Sequence, residues 1–180
     1  YLDGWLSNLP VSMPGATGVD ITLSHGVTIS GHITDDVTHA PVSGGTVQLL
    51  GEYLTIPVAT APVTADGSYT LAPVQPDQTF RVRYQPTAAL PYAPRYYSNT
   101  NGYFSATPVV VTNADILGVD IAVQSAGTIS GRVTDTGGAP VEGATVSSFL
   151  EPFDPLLDDP RAITDADGNY TLLHAPPGSY

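Results

Sequence analysis

The stretch that decides the fold occurs twice in this chain. Residues 127–146 read GTISGRVTDTGGAPVEGATV, and residues 26–47 read GVTISGHITDDVTHAPVSGGTV. The tetrapeptide Gly-Val-Asp-Ile at 18–21 also recurs at 118–121, and ADGSYTL from Ala65 has its counterpart in ADGNYTL from Ala166. Recurrence at a spacing of about 100 residues predicts that the chain is a tandem array of one module.

The phase of the repeat predicts the domain boundaries. We expect residues 1–24 to be the terminal strands of a preceding module, residues 25–124 the first complete module, and residues 125–180 a second module that lacks its last strands. Because an unfinished sandwich exposes an unpaired edge, residues 1–24 are a candidate donor segment. We expect them to complete the second module of another copy by strand addition. In a longer array the same contact would form within one chain.

The local pattern is that of β-strands. TISGHITD alternates apolar and polar residues, which places Ile29 and Ile33 on one face of a strand. TFRVRYQ alternates in the same way and places Arg81 and Arg83 on the face opposite its apolar residues, which we expect to be the solvent face. Turn clusters such as TADGS and DADGN separate these runs. No stretch long enough to form a helix shows helical periodicity. The pattern predicts an all-β fold of tandem β-sandwiches.

Composition and charge narrow the classes of function. The chain carries 17 acidic and five basic residues, for a net charge of −12. This charge argues against nucleic-acid binding, which depends on cationic side chains. The absence of cysteine excludes disulfides and thiolate chemistry. No apolar run approaches the roughly 20 residues of a membrane span, so no membrane insertion is expected. The acidic composition favours an extracellular or cell-surface protein.

At the repeated residues the chain resembles a known family. GTISGRVTDTGGAPVEGATV, with the later TDADGNYTLLHAPPGSY, is similar to the carboxypeptidase regulatory-like domain, a transthyretin-like sandwich related to the B-type repeats of bacterial collagen adhesins. The resemblance implies an immunoglobulin-like, Greek-key sandwich of about seven strands, used as a spacer, stalk or accessory module without catalysis. Residues 96–127 are similar to joining segments in secreted bacterial arrays, which implies tandem presentation on a surface.

Acidic residues gather in and before the DADGN turn and form a candidate calcium site, because calcium prefers carboxylate oxygens. Its members are Glu151, Asp154, Asp158, Asp159, Asp165 and Asp167. A hairpin turn and a solvated, proline-rich loop account for the same residues without a metal, since no bidentate glutamate follows at the spacing of an EF-hand. No other cofactor is expected.

Six aromatic residues form a second candidate site, for which two interpretations remain open. They are Tyr1, Trp5, Tyr92, Tyr96, Tyr97 and Tyr103. Because Tyr1 and Trp5 recur in the repeat as Tyr97 and Tyr103, the set is expected to cover the seam between modules. The alternative is a platform on which sugars or a protein partner stack.

The sequence therefore predicts a non-catalytic structural repeat module of an extracellular bacterial surface stalk or filament. The modules are expected to assemble end to end by strand pairing, with copies of the chain or its own neighbouring modules as partners. The alternative is an adhesin module that binds a glycan or a surface protein through the tyrosines or the acidic loop. Neither a nucleophile elbow nor a paired-acid motif is visible, so no enzyme is expected.

Overall fold

A computed structural model of the chain describes residues 26–52, 56–148 and 160–179. The predicted donor segment, residues 1–24, lies outside the described residues. Twelve strands occur in the described ranges. They are β1 (Val27–Asp35), β2 (Thr46–Leu50), β3 (Pro57–Pro62), β4 (Ser68–Val74), β5 (Gln78–Gln85), β6 (Arg95–Tyr96), β7 (Val109–Val111), β8 (Ile121–Val123), β9 (Gly127–Arg132), β10 (Thr145–Ser147), β11 (Arg161–Ile163) and β12 (Asn169–Ala175). Among the described residues, no helix is long and apolar enough to cross a membrane.

Strands β1–β8, which we call the first module, form two sheets. The first sheet has the order β4-β1-β8, in which β1 pairs antiparallel with β4 and parallel with β8. The second sheet has the order β3-β2-β5, and both β6 and β7 pair with the free side of β5. The two sheets share one apolar core, so the predicted all-β sandwich is confirmed.

The core of the first module lies between these sheets. Ile29 and Ile33 of β1 are completely buried, as their alternation with polar residues predicted. They belong to the same buried cluster as Leu71 of β4 and as Val47 and Val82 of the second sheet. Each such side chain contributes roughly 1.5–3 kcal/mol on burial, so this layer supplies most of the stabilisation that holds the sheets together.

One close backbone approach sets the position of β8. A Cβ atom added at Gly31 would lie 2.2 Å from the carbonyl oxygen of Val119, a distance that no side chain tolerates. The hydroxyl of Tyr69 donates a hydrogen bond to the same oxygen at 2.5 Å. Glycine at this strand position is therefore required because another backbone passes directly over it.

The segment that leads into β8 occupies the edge of β1 opposite β4. Ser30 N donates to Ile116 O at 2.9 Å, and Val119 N donates to Ser30 O at 3.0 Å. His32 N donates to the Asp120 carboxylate at 2.8 Å. Main chain and side chain together thus satisfy the polar groups along this edge of β1.

The predicted solvent face of β5 is wrong at Arg83, which is only 6% exposed. Its guanidinium donates to the Gln48 side chain at 3.0 and 2.7 Å and lies 5.8 Å from the centre of the Tyr96 ring. The outer face of the second sheet is covered by the residues that follow β6, where Tyr103 packs over Arg81. Alternation placed the arginines on the outer face correctly, but a local pattern does not show what covers that face.

Strands β9–β12, which we call the second module, repeat the first strand pair in the same register. Gly131 of β9 lies opposite Tyr170 of β12, as Gly31 lies opposite Tyr69. A second strand pair, β10 with β11, accompanies it. Burial differs between the modules: Ile129 is only partly buried, whereas its counterpart Ile29 is completely buried.

This difference gives a matched pair of substitutions. We expect Ile29→Ala to lower the free energy of unfolding of its module by about 2–5 kcal/mol, the usual cost of truncating a buried aliphatic side chain. Ile129→Ala should cost less than half as much, because its side chain is already partly exposed. Urea denaturation followed through the amide NMR signals of each module measures both values. Equal losses would contradict the different burial of the two positions.

Candidate functional site

Two of the predicted aromatic residues are buried together on the outer side of the second sheet. Tyr96 is 1% exposed and Tyr103 is 3% exposed, and they form a small cluster with Leu50 and Ala106. Their rings meet edge to face with centroids 6.2 Å apart, and the Tyr103 hydroxyl donates to Gly51 O at 2.9 Å. These two rings are thus packed within the protein rather than displayed on its surface.

The other predicted aromatic residues lie elsewhere. Tyr97 packs partly buried against the main core, and its N–H donates to Val82 O at 2.9 Å. Tyr92 is partly buried, and burial together with the nearby Asp35 carboxylate raises the pKa of its hydroxyl. Tyr1 and Trp5 lie outside the described residues. The structure therefore brings Tyr96 and Tyr103 into contact but does not gather the six residues into one patch.

Tyr92 belongs to the link between the two modules. Residues 124–126 join β8 to β9, and Tyr92 forms an antiparallel bridge with Ser125. Backbone hydrogen bonds flank this bridge, from Ala93 N to Gln124 O at 3.0 Å and from Ala126 N to Pro91 O at 2.8 Å. The three linking residues are therefore bonded to the body of the first module along their length.

His174 of β12 contributes a contact from the second module to this link. Its Nδ1 lies 2.8 Å from Tyr92 O, and because a carbonyl only accepts, Nδ1 carries the proton and donates. His174 has a φ of +59°, a left-handed conformation uncommon for residues other than glycine. Sequence reasoning did not single out His174. One feature of the sequence could have identified it. The position of the first module that aligns with His174 holds Pro73, so the two repeats differ at this contact.

A cavity of about 310 Å³ lies beside the link, between the two modules. Arg83 and Tyr96 line it from the first module, and Arg161 and His174 line it from the second. Of the predicted aromatic set, Tyr92 and Tyr96 thus lie at this junction. We use the name seam for the junction formed by residues 124–126, Tyr92 and His174.

The acidic turn of the second module uses Asp165 to bind its own backbone. One carboxylate oxygen of Asp165 accepts hydrogen bonds from Asn169 N at 2.8 Å and Asp167 N at 3.0 Å. These bonds, that from Asn169 first, lower the pKa of the Asp165 carboxyl group. The Asp167 backbone carbonyl accepts a bond from Arg132 Nε at 2.8 Å. This arrangement holds the turn between β11 and β12.

The candidate calcium site remains a prediction. Four of its members, Glu151, Asp154, Asp158 and Asp159, lie outside the described residues. In the part of the chain that the structure describes, no three metal-ligating side chains come together.

The corresponding turn of the first module is built from different residues. Asp66 accepts hydrogen bonds from the hydroxyls of Thr64 and Ser68, at 2.5 and 2.8 Å, and from Ser68 N at 3.2 Å. These bonds, with Thr64 as the largest contributor, lower the pKa of Asp66 to about 2. Gly67 has a φ of +80° here, and Gly168 has a φ of +79° in the second module. The two turns thus share a backbone shape, but a different residue binds the backbone in each: Asp66 in the first module and Asp165 in the second.

Residues 128–180 match the family model of the carboxypeptidase regulatory-like domain. The resemblance noted in the sequence is therefore confirmed for the residues of the second module. The sequence matches none of the curated proteins.

Solved structures similar to this chain include the Bacillus anthracis TIE protein, at 13% sequence identity and a TM-score of 0.40. The similarity covers 84% of this chain and 27% of that one. Another is the Streptococcal ancillary pilin, at 13% identity and a TM-score of 0.38, covering 83% of this chain and 50% of that one. The chain thus spans 27% and 50% of the length of these two proteins.

The Asp66 turn gives a prediction about pH. The pKa of Asp66 is lower in the folded chain than the value of 3.8 expected in the unfolded chain. Asp66 therefore stabilises the fold at pH values above 3.8, and this contribution disappears as the pH falls through about 2. We expect Thr64→Val to move the pKa of Asp66 upward towards 3.8, because the substitution removes the strongest hydrogen bond to the carboxylate. An NMR titration of the Asp66 side-chain carbonyl carbon measures the shift.

The matched control is Thr70→Val, the same chemical change at an exposed position of β4, the strand that follows the turn. It should leave the Asp66 titration in place. An unchanged titration in Thr64→Val would show that the Thr64 hydroxyl does not hold the carboxylate.

Proposed function

We propose that this chain is a non-catalytic structural spacer, a tandem β-sandwich segment of an extracellular bacterial stalk or filament. Its modules are residues 25–124 and residues 125–180, with neighbouring modules or further copies as partners. The observation that carries the proposal is the seam, at which a three-residue link is bonded to the first module and contacted by the second.

A bonded link has a mechanical consequence. Domains joined by an unpaired linker move relative to one another by default. Here Ser125 bridges Tyr92, its two neighbours in the chain bond to Ala93 and Pro91, and His174 bonds to Tyr92 from the far side. Bending at the seam would break these bonds, so the two modules hold one orientation. A spacer that keeps its direction projects whatever it carries to a defined distance.

The buried polar groups of the first module support a structural role. Burial raises the pKa values of the Tyr69 and Tyr84 hydroxyls, that of Tyr84 to about 12. Both hydroxyls remain protonated at neutral pH and donate to backbone carbonyls, Tyr69 to Val119 and Tyr84 to Gly44. Each ties two parts of the sandwich together rather than facing a cleft.

The acidic composition supports placement outside the cell. A net charge of −12 keeps modules soluble and repels anionic surfaces. The alternative of an aromatic binding platform is not favoured here, because Tyr96 and Tyr103 are buried in their own cluster.

The proposal predicts a single orientation of the modules. The chain has no cysteine, so Thr60→Cys and Glu142→Cys place two spin labels uniquely, one in each module at exposed positions. Electron–electron double resonance should give one narrow distance distribution. A broad distribution in the otherwise unchanged chain would contradict a stiff spacer.

A second variant tests the cause of the stiffness. His174→Gly removes the side chain that bonds to Tyr92 without adding strain, because glycine adopts a positive φ freely. His39→Gly is the matched control, since His39 also has a positive φ, of +56°, but lies in an exposed turn of the first module. The distance distribution should broaden in the first variant and stay narrow in the second.

A further inference from the structure

The cavity beside the link, which we call the seam cavity, has walls from both modules. Its volume of about 310 Å³ lies at the lower end of the roughly 300–1,000 Å³ that small-molecule sites occupy. Strand β5 lines it from the first module with Arg83 and Gln85, and strands β11 and β12 line it from the second with Arg161, Leu173 and His174. The space therefore suits a small ligand held between the modules.

The side of β12 that faces the seam cavity is the outer side of its module. Thr171 and Leu173 are exposed on it, and their counterparts in the first module, Thr70 and Ala72, are exposed as well. The first module leaves this side of its strand open although strands β5–β8 follow it. The seam cavity is consequently formed where two modules meet and not by an unfilled place within one of them.

The charge of the seam cavity is opposite to that of the chain. Arg83 and Arg161, two of only five basic residues, line it, whereas none of the described residues that line it is acidic, in a chain with 17 acidic residues. Arg83 already donates to the Gln48 side chain, but Arg161 is exposed. Because a guanidinium group matches a carboxylate with two parallel hydrogen bonds, Arg161 selects a ligand that carries a carboxylate.

Two hydrogen-bond acceptors in the wall of the seam cavity lack donors. Within the described ranges, neither Gln85 Oε1 nor His174 Nε2 has a hydrogen-bond partner, and both atoms are buried. Since His174 Nδ1 donates to Tyr92 O, the Nε2 of the neutral ring is an acceptor. Buried polar atoms are almost always hydrogen-bonded, so two unpaired acceptors beside one cavity point to a ligand that brings donors. The two arginines would repel an ammonium donor, which favours hydroxyl groups.

Much of the remaining wall is apolar. Pro94 from the first module and Pro160 and Pro176 from the second line it, together with Leu173. Such surfaces pack against C–H groups and leave hydrogen bonding to a few placed polar atoms, as is usual in small-molecule sites. A ligand of matching chemistry has an apolar face, hydroxyl groups at its rim and a carboxylate.

We infer that the seam cavity binds an acidic sugar, a pyranose ring that carries one carboxylate. Its hydroxyl groups donate to Gln85 Oε1 and His174 Nε2, and its carboxylate accepts from Arg161. Its C–H face packs against the prolines. This binding function goes beyond the proposed spacer, although it uses the same seam. Because the walls belong to different modules, the ligand binds only the orientation in which they meet and therefore favours that orientation.

Titration of the isotope-labelled chain with glucuronate, followed through the amide NMR signals, tests the site. Saturable shifts are expected at Gln85, Leu173 and His174, on both sides of the seam cavity. Glucose has the hydroxyl groups without the carboxylate, and acetate has the carboxylate without the hydroxyl groups. Each should bind at least about tenfold more weakly than glucuronate. Shifts that do not saturate, or equal binding of the three probes, would overturn the inference.

Arg161→Gln tests the charge. It removes the cation and should weaken glucuronate binding at least about tenfold while leaving glucose binding unchanged, so the preference for the acidic sugar disappears. Arg132→Gln is the matched control, because Arg132 is also an exposed arginine of the second module but does not line the seam cavity. Its affinity for glucuronate should remain at the wild-type value. Equal loss in both variants would show that binding follows the overall charge and not this site.

Gln85→Met tests the acceptor. Methionine keeps the length of the side chain but lacks the amide oxygen, so glucuronate and glucose should both bind more weakly. Since this acceptor is unpaired within the described ranges, its removal should not lower the free energy of unfolding measured in urea. Gln78→Met, at an exposed position of the same strand, is the control and should change neither value. Wild-type affinity in Gln85→Met, or lost stability together with lost binding, would contradict the assignment.

The spin labels separate this inference from the spacer proposal. No glucuronate binding together with a narrow distance distribution would overturn the ligand site and leave the spacer function standing. A broad distribution that becomes narrow on addition of glucuronate would contradict the stiff spacer and retain the ligand site.

Discussion

The backbone of Val119 lies directly against Gly31, and the rest of the first module depends on that contact. With no side chain at residue 31, β8 approaches close enough to pair in parallel with β1. The hydroxyl of Tyr69, a residue of β4, donates a hydrogen bond to the Val119 carbonyl. Three strands are thereby tied at one point, and Ile121 is brought into the core. Bringing β8 back beside β1 closes a long loop at a cost in conformational entropy, and the bonds made at this point oppose that cost.

The same contact explains the difference between the two modules. The second module carries the glycine, the tyrosine and the strand register of the first. What it does not show within the described residues is a strand along the second edge of β9. Side chains that are core in one module are therefore partly exposed in the other. Burial here is a property of the partner strand and not of the residue, since identical short sequences reach different environments.

Several features of the fold were predictable because they depend on neighbours in sequence. Alternation in TISGHITD placed Ile29 and Ile33 inward, and TADGS and DADGN predicted the turns in which Gly67 and Gly168 have a positive φ. The outer arginine Arg83 was mispredicted, because the ring that covers it, Tyr96, belongs to another strand, β6. His174 was missed for a related reason, since its hydrogen-bond partner Tyr92 is 82 residues away. The assignment of the six aromatic residues to a seam stays a prediction; the structure places Tyr92 against Ser125 of the link and Tyr96 beside the cavity next to it.

The amino-acid sequence by itself determined the strand class and the turns, because these depend on residues within a few positions of one another. It also determined the repeat and the sign of the charge, because both can be taken from the sequence without knowing how the chain packs. Only the tertiary structure decided which faces are covered, in which register β9 pairs with β12 and how the link between the modules is bonded. Those features depend on segments far apart in the sequence meeting in space, as Thr28 meets Asp115, Tyr92 meets Ser125 and His174 meets Tyr92. Such meetings follow from packing the whole chain, and no local pattern records them.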